Sequence, residues 1–343
     1  MARIALCILM IGMIWLHGTV FVAAAQEINF SGMTRIGDND FLVVHDKKYP
    51  RDAGSRVGIV TVNGKEKTGL EKTRKGQRMG PFSYHPLSIV GWPADENPAN
   101  DLEAVCEIPY GNNIYLLAES GYNKGKFGRV FLIQVVKKPG KGWCSTFQGF
   151  FCPFASELPD DKKIMRKYKT PSELQIEGIW CLGTPDDKFM VIFARRGNSS
   201  TPAVLVWGDL KFDRSGKPHF EKKGRRDLTK GSAPLGGRGS AALMLRENKK
   251  GRGDDWDVWS VATVDPDDNG PFCSVIYQAG TFKWDEKKGF TPCDPVILWT
   301  LEGLKVEALS VSAEVVKDSR FSIGTDDEVY GGIWRPLFIR TGQ

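Results

Sequence analysis

Three glutamates, Glu103, Glu177 and Glu307, stand in one local setting. Each precedes a small residue and then an apolar one, in DLEAVCEIP (101–109), QIEGIWCLG (175–183) and KVEALSVSA (305–313). Carboxylates that converge in space do one of two kinds of work. They accept backbone N–H groups that would otherwise be buried unsatisfied, or they gather around a divalent cation. Calcium suits such a set, because it takes six to eight oxygens in flexible geometry. Crowded acids also repel one another, which raises their pKa values unless a cation or an arginine neutralises them. Other residues of catalytic type are few. Beyond His17 the histidines are His45, His85 and His219, and neither HExxH nor GxSxG occurs. GGRGSAA (236–242) has the spacing of a dinucleotide loop through Gly237, Gly239 and Ala242, but it lacks a strand–helix–strand setting and is set aside.

For distant glutamates to act together, a repeated element must carry them to one place. Beyond residue 25, amphipathic helix patterns are scarce. Short runs rich in Val, Ile, Phe, Tyr and Trp dominate, punctuated by Gly, Pro, Asn and Asp. Each glutamate opens such a run, and two more runs follow it: LEAVCEI, NIYLLAESG and GRVFLIQVV; IEGIWCLG, KFMVIFARRG and AVLVWGDL; VEALSVSA, RFSIGTDDE and GIWRPLFI. Two further sets fit with Ser31 and Ser240 in place of glutamate. The five anchors lie between 63 and 74 residues apart. A near-constant period over the chain predicts an all-β fold, a β-propeller of five four-stranded antiparallel blades. A sixth blade would have to lie within 62–92 or 138–170.

In such a blade the start of the first strand and the end of the second lie at the same end of the central channel. The glutamates are therefore expected beside the residues that close each second strand: His45 and Asp46, Glu119, Arg195 and Arg196, Asp265, and Asp326 to Glu328. The result is an acidic ring broken by arginines. Within it the candidate catalytic residues are His45 as a base, Glu119, and Arg195 to hold anionic oxygens in bidentate fashion. Arg35 and Arg335 are further candidates for the same role. The architectural alternative is that each glutamate accepts N–H bonds from a neighbouring blade, with the small residue after it letting the blades approach.

The first 25 residues read as a secretion leader, with Arg3, an apolar stretch from Ile4 to Phe21 and a small-residue site at Ala23–Ala25. Residues 26–343 are read as one propeller domain, periplasmic or extracellular, monomeric and with no further membrane span. Six cysteines remain after the leader, which suggests disulfides, with Cys144–Cys152 and Cys273–Cys293 as the local pairings. The formal charge of +6 sits in interrupted runs such as 65–78 and 221–226. These read as solvated loops, and a nucleic-acid partner is excluded. Asn29 and Asn198 match the glycosylation pattern.

The strings DLEAV, YLLAESG, GRVFLI, IEGI, VEAL and FSIGTDDEVYGGIWRP resemble the phytase-like group of exported bacterial propellers, described as having esterase-like activity of phytase. They are also similar to the SdiA-regulated propeller proteins. The resemblance covers most of the chain beyond the leader. It implies a propeller fold, an extracytoplasmic location and phosphoester hydrolysis. In calcium-dependent propeller phytases, carboxylates surround calcium at one channel mouth. Carried over, the metal ligands would come from Glu103, Glu119, Glu177, Glu307, Asp326 and Asp327. Two functions follow as expectations: a calcium-assisted phosphoester or ester hydrolase with an anionic small-molecule substrate, or a non-catalytic propeller that binds a protein, peptide or glycan at the mouth.

Overall fold

The computed structural model describes residues 28–48, 54–63, 82–92, 99–123, 126–155, 175–197, 201–236, 239–248, 255–267, 269–284 and 289–338. The expected leader, the basic run 65–78 and Asn198 lie outside the described residues.

The described residues form five sheets arranged as the blades of a propeller. Blade 1 holds β1 (Gly32–Arg35), β2 (Asp40–Val44), β3 (Val57–Val62) and β4 (Phe82–Pro86) in sequential order. Blade 2 is built from β5 (Ile89–Val90), β6 (Leu102–Glu107) and β7 (Ile114–Glu119). It continues, after a small hairpin of β8 (Tyr122–Asn123) and β9 (Lys126–Phe127), with β10 (Val130–Lys138) and β11 (Gly142–Phe151). Its order is β5-β11-β10-β7-β6, with β5 parallel to β11 on the rim. Blade 3 is β12 (Ile176–Gly183), β13 (Phe189–Arg195), β14 (Val204–Phe212) and β15 (Pro218–Asp227). Blade 4 is β16 (Leu243–Glu247), β17 (Asp255–Val264), β18 (Cys273–Lys283) and β19 (Gly289–Glu302). Blade 5 has three strands, β20 (Val306–Val311), β21 (Phe321–Thr325) and β22 (Trp334–Leu337).

The innermost strands close a ring: β1 packs on β6 and on β20, β12 on β6 and β16, and β16 on β20. The chain start also docks on the last blade. Phe30 N–H donates to Thr325 O at 3.0 Å and Glu314 N–H to Asp38 O at 2.8 Å.

Sequence composition follows radial position. The second strands β2 and β13 are buried throughout and apolar but for one charged end residue each, Asp40 and Arg195, because neighbouring blades cover both of their faces. The rim strand β15, PHFEKKGRRD, is mostly exposed and charged, which discourages edge pairing. The core lies between blades. Leu116, Leu132, Ile179, Val191 and Phe193, for example, interdigitate between blades 2 and 3. Each such side chain contributes about 1.5–3 kcal/mol on burial.

Two expectations need correction. The described parts of 62–92 and 138–170 supply the rim strands β4, β5 and β11 to blades 1 and 2, so they build no sixth blade. The local disulfides are also ruled out by geometry. Cys144 and Cys152 are separated by most of β11, roughly 26 Å at the rise of a strand, far beyond disulfide reach. Cys273 faces Glu302, whereas Cys293 lies beside Gln278, its Sγ 3.8 Å from that carbonyl and several residues further along the ladder.

Candidate functional site

The three signature glutamates share a backbone device. In β6 the register with β7 passes from Leu102↔Glu119 directly to Ala104↔Ala118, leaving Glu103 as an extra residue. The same skip strands Glu177 between Ile176↔Arg195 and Gly178↔Ala194 in blade 3. In blade 5 it strands Glu307 between Val306↔Thr325 and Ala308↔Gly324. Each glutamate is thus the unpaired residue of a β-bulge, a device that re-aims one side chain while the strand around it keeps its pairing.

The small residue after each glutamate has its own reason. A Cβ on Gly178 would lie 2.5 Å from Leu243 Cβ and 2.8 Å from Leu243 N in blade 4. A Cβ on Gly32, which follows Ser31 in blade 1, would lie 2.8 Å from Ala104 Cα. The motif therefore combines a carboxylate at the channel with a point of close blade-to-blade approach.

Register also sorts the residues that close the second strands. Opposite the small residue stand Val44, Ala118, Ala194 and Gly324. The next position holds His45, Glu119, Arg195 and Thr325, and all four are buried. His45 Nδ1 donates to the Asn29 carbonyl, so Nε2 accepts from Tyr84 Oη at 2.9 Å. Burial, with Lys47 adding to it, pulls its pKa from 6.5 to about 4, against the opposing pull of the Asn29 bond and Asp46. Glu119 is fully buried. It takes two hydrogen bonds from the Arg129 guanidinium, at 2.7 and 3.0 Å, and backbone N–H bonds from Asn100 and Arg129. Arg195, also fully buried, lies over the Phe154 ring at 4.6 Å. His45 thus bonds within blade 1 and Glu119 within blade 2, while Arg195 of blade 3 packs on Phe154, and all three side chains are buried.

One residue further along, alternation turns the side chain back toward the channel, and there stand Asp46, Arg196 and Asp326. The pKa of Glu103 is held well above the ordinary range, first by burial and then by the charges of Glu177, Asp101, Glu307 and Asp46. Asp326 is raised by burial, then by Glu307 and Asp46, with Lys305 opposing. Glu103 is thus within electrostatic reach of Glu177 and Glu307, and Asp326 of Glu307 and Asp46. Asp327 is turned aside, accepting Lys305 N–H at 2.8 Å and the Thr325 hydroxyl at 2.8 Å. Arg35 reaches Ser312 O and Glu314 from the far end of β1, and Arg335 is exposed on blade 5.

Within the mouth, Asp46, Asp101 and Glu103 form the tightest group. One oxygen from each lies within 4.8 Å of the others, and all three are partly open to solvent. Two oxygens bound to one calcium at 2.3–2.6 Å stand at most about 5 Å apart, so this donor set fits the ion. Three cations are built into the same region. Lys48 Nζ lies 3.0 Å from Asp46 Oδ2 and 3.2 Å from Asp101 Oδ1. Lys305 lies 3.3 Å from Asp265, 3.5 Å from Glu307, and beside Glu328. Arg196 Nη1 is 3.4 Å from Glu177 Oε1 and 3.1 Å from Gln175 Oε1.

Asp101 and Lys305 open two of the quoted strings, two residues before the glutamate, where the third has Gln175. The variable residue type there marks no role, and Lys48 lies outside the strings. The only local signal for Asp101 is its left-handed backbone, φ 58°, a conformation that aspartate tolerates better than most residues. That turn lets Asp101 N–H bond Lys47 O and its carbonyl accept from Ser120, fixing its carboxylate against blade 1.

No family model matches the chain, and no curated protein matches it. Among solved structures it is similar to a member of the GH130 family of mannoside phosphorylases, whose glycoside hydrolases target β-1,2 mannosidic linkages in Candida mannan. That likeness has a TM-score of 0.46 and 11% identity, over 91% of this chain and 86% of the other. A glycosyl hydrolase from Bacteroides ovatus is similar at TM-score 0.45 and 11% identity, over 91% and 86%. Likenesses of this degree carry no argument, and the fold and the chemistry of the site rest on the chain's own residues.

Proposed function

We propose that the acidic mouth is the working site of a hydrolase that acts on phosphoesters or other esters with calcium as its assisting ion. The observation that supports this most is the shared bulge, which directs three glutamates from three blades into the neighbourhood of Asp46, Asp101 and Asp326. The sequence resemblance to phytase-like propellers points the same way. Asp46, Asp101 and Glu103 are the residues that would hold the ion, with Glu177, Glu307 and Asp326 around them. When bound, calcium supplies positive charge that offsets the carboxylates and polarises an ester oxygen.

The chain's own groups divide the remaining work. The Arg196 guanidinium, which sits beside Glu177, offers fork-shaped donors to an anionic oxygen. Asp326, whose pKa is raised by burial and then by Glu307 and Asp46 against Lys305, is the carboxyl suited to give a proton to a leaving group. Export through the leader and a monomeric state belong to the same proposal.

The test is turnover of phytate and of an aryl ester by the purified protein, with calcium and with a chelator. The expected outcome is calcium-dependent hydrolysis that Glu103→Gln abolishes. Absence of turnover on both substrates, whatever the ion, would sink the enzymatic reading. It would favour a propeller that only binds at this mouth, a reading supported by the engagement of Lys48, Lys305 and Arg196 with carboxylates.

A further inference from the structure

The tightest carboxylate group at the mouth already holds a positive charge of its own. Lys48, two residues beyond Asp46, lays its ammonium across the two blades, 3.0 Å from Asp46 of blade 1 and 3.2 Å from Asp101 at the start of blade 2. Its burial would by itself favour the neutral amine. The charges of Asp101, Asp46 and Glu103 together outweigh that and keep it protonated. These three acids are the ones whose oxygens lie within 4.8 Å of one another.

An ammonium and a divalent ion therefore compete for one cradle. The two differ in attachment: Lys48 is tethered by a flexible stem, and its side chain is 44% exposed, which leaves a path from the cradle toward solvent. Lys305 makes a contrast. It is enclosed at 4% side-chain exposure among Asp265, Glu307 and Glu328, which suits a permanent structural cation.

We infer that Lys48 is a tethered counter-ion that occupies the Asp46–Asp101–Glu103 cradle when no divalent ion is bound and is displaced when one enters. Lys48 then sets the threshold concentration of the ion and keeps the empty mouth from being broken by its own charge. This rests on the cation-assisted reading of the mouth given above.

The experiment is calcium titration of the full chain by calorimetry, with terbium luminescence as a second probe. Wild type, Lys48→Met and Asp101→Asn are compared, and the melting temperature of each is followed with and without calcium. Removing the competing ammonium is expected to tighten calcium binding about tenfold or more in Lys48→Met. That variant is also expected to melt below wild type without calcium and to regain the difference when calcium is added. Asp101→Asn is expected to bind weakly. If wild type and Lys48→Met bind calcium equally, or the variant binds more weakly, Lys48 is no competitor, although the cation site stands. If neither binds up to about 10 mM, the cation reading and this inference fall together. Should Lys48→Met fold poorly, Lys48→Gln, which keeps a polar head without charge, serves for the same comparison.

Discussion

Glu103 and Glu177 occupy the same place in neighbouring blades, each the unpaired residue of a bulge, and the charge of Glu177 is the largest electrostatic influence on Glu103 after burial. Two residues 74 positions apart in the chain are thus electrostatic neighbours because one backbone irregularity is repeated. The irregularity has a cost in ladder hydrogen bonds, and its return is a carboxylate aimed where regular pleating would not send it.

The Glu119–Arg129 pair is a structural bond of blade 2. Both partners are buried, and the carboxylate's acceptors are filled by the guanidinium and two backbone N–H groups. Arg129→Ala should destabilise the protein by about 3–5 kcal/mol, since it leaves a buried charge without its partner. Urea denaturation measures this. A double replacement of both partners with apolar residues of similar volume should recover much of the loss.

His45 should make stability fall in mild acid. Its folded pKa, about 4, lies below the ordinary 6.5. The unfolded chain therefore takes up the proton first, and stability is lost as pH falls from about 6.5 to about 4. The full contribution is roughly 3 kcal/mol. Melting temperature followed against pH should show this slope, and His45→Gln should flatten it; an unchanged slope would mean that other groups carry it.

Gly178 is held by contact with blade 4 rather than by backbone conformation. A β-branched side chain there would drive into Leu243, so Gly178→Val should cost at least about 1–3 kcal/mol. It should also lower whatever activity the mouth has, because the adjacent bulge residue is Glu177. Comparing melting temperature with calcium affinity separates the two effects.

The buried thiols Cys106 and Cys181 should resist alkylation in the native state and react after denaturation. Burial also raises the pKa of both thiols, which further reduces the reactive thiolate. Cys152, exposed just beyond the end of β11, should label before the half-buried Cys144. Mass spectrometry of the labelled protein without reductant should show neither of the two local crosslinks expected from sequence spacing.

Much of the architecture was legible because the period is written in strand-length apolar runs. Fifteen strands were assigned from those runs, and all lie within the five blades. The rim strands were less legible. β15 and β19 are partly exposed and mixed in character, so neither alternation nor continuous apolarity marks them. The site was half legible. Glu103, Glu177 and Glu307 carry a repeated signature, whereas Asp101, Lys48 and Lys305 depend on a left-handed turn and on contacts across blades. His45, Glu119 and Arg195 are buried and stand one residue before Asp46, Ser120 and Arg196. In a strand that single step exchanges channel for core, and the bulge that sets the phase is invisible until the pairing is known.

The join between the first and last blades makes the mouth a late product of synthesis. Asp46 and Lys48 are made more than 250 residues before Glu307 and Asp326, and β1 meets β20 only when both exist. A nascent chain that has finished four blades still lacks the partner for its first strand, so the mouth exists only once the ring has closed.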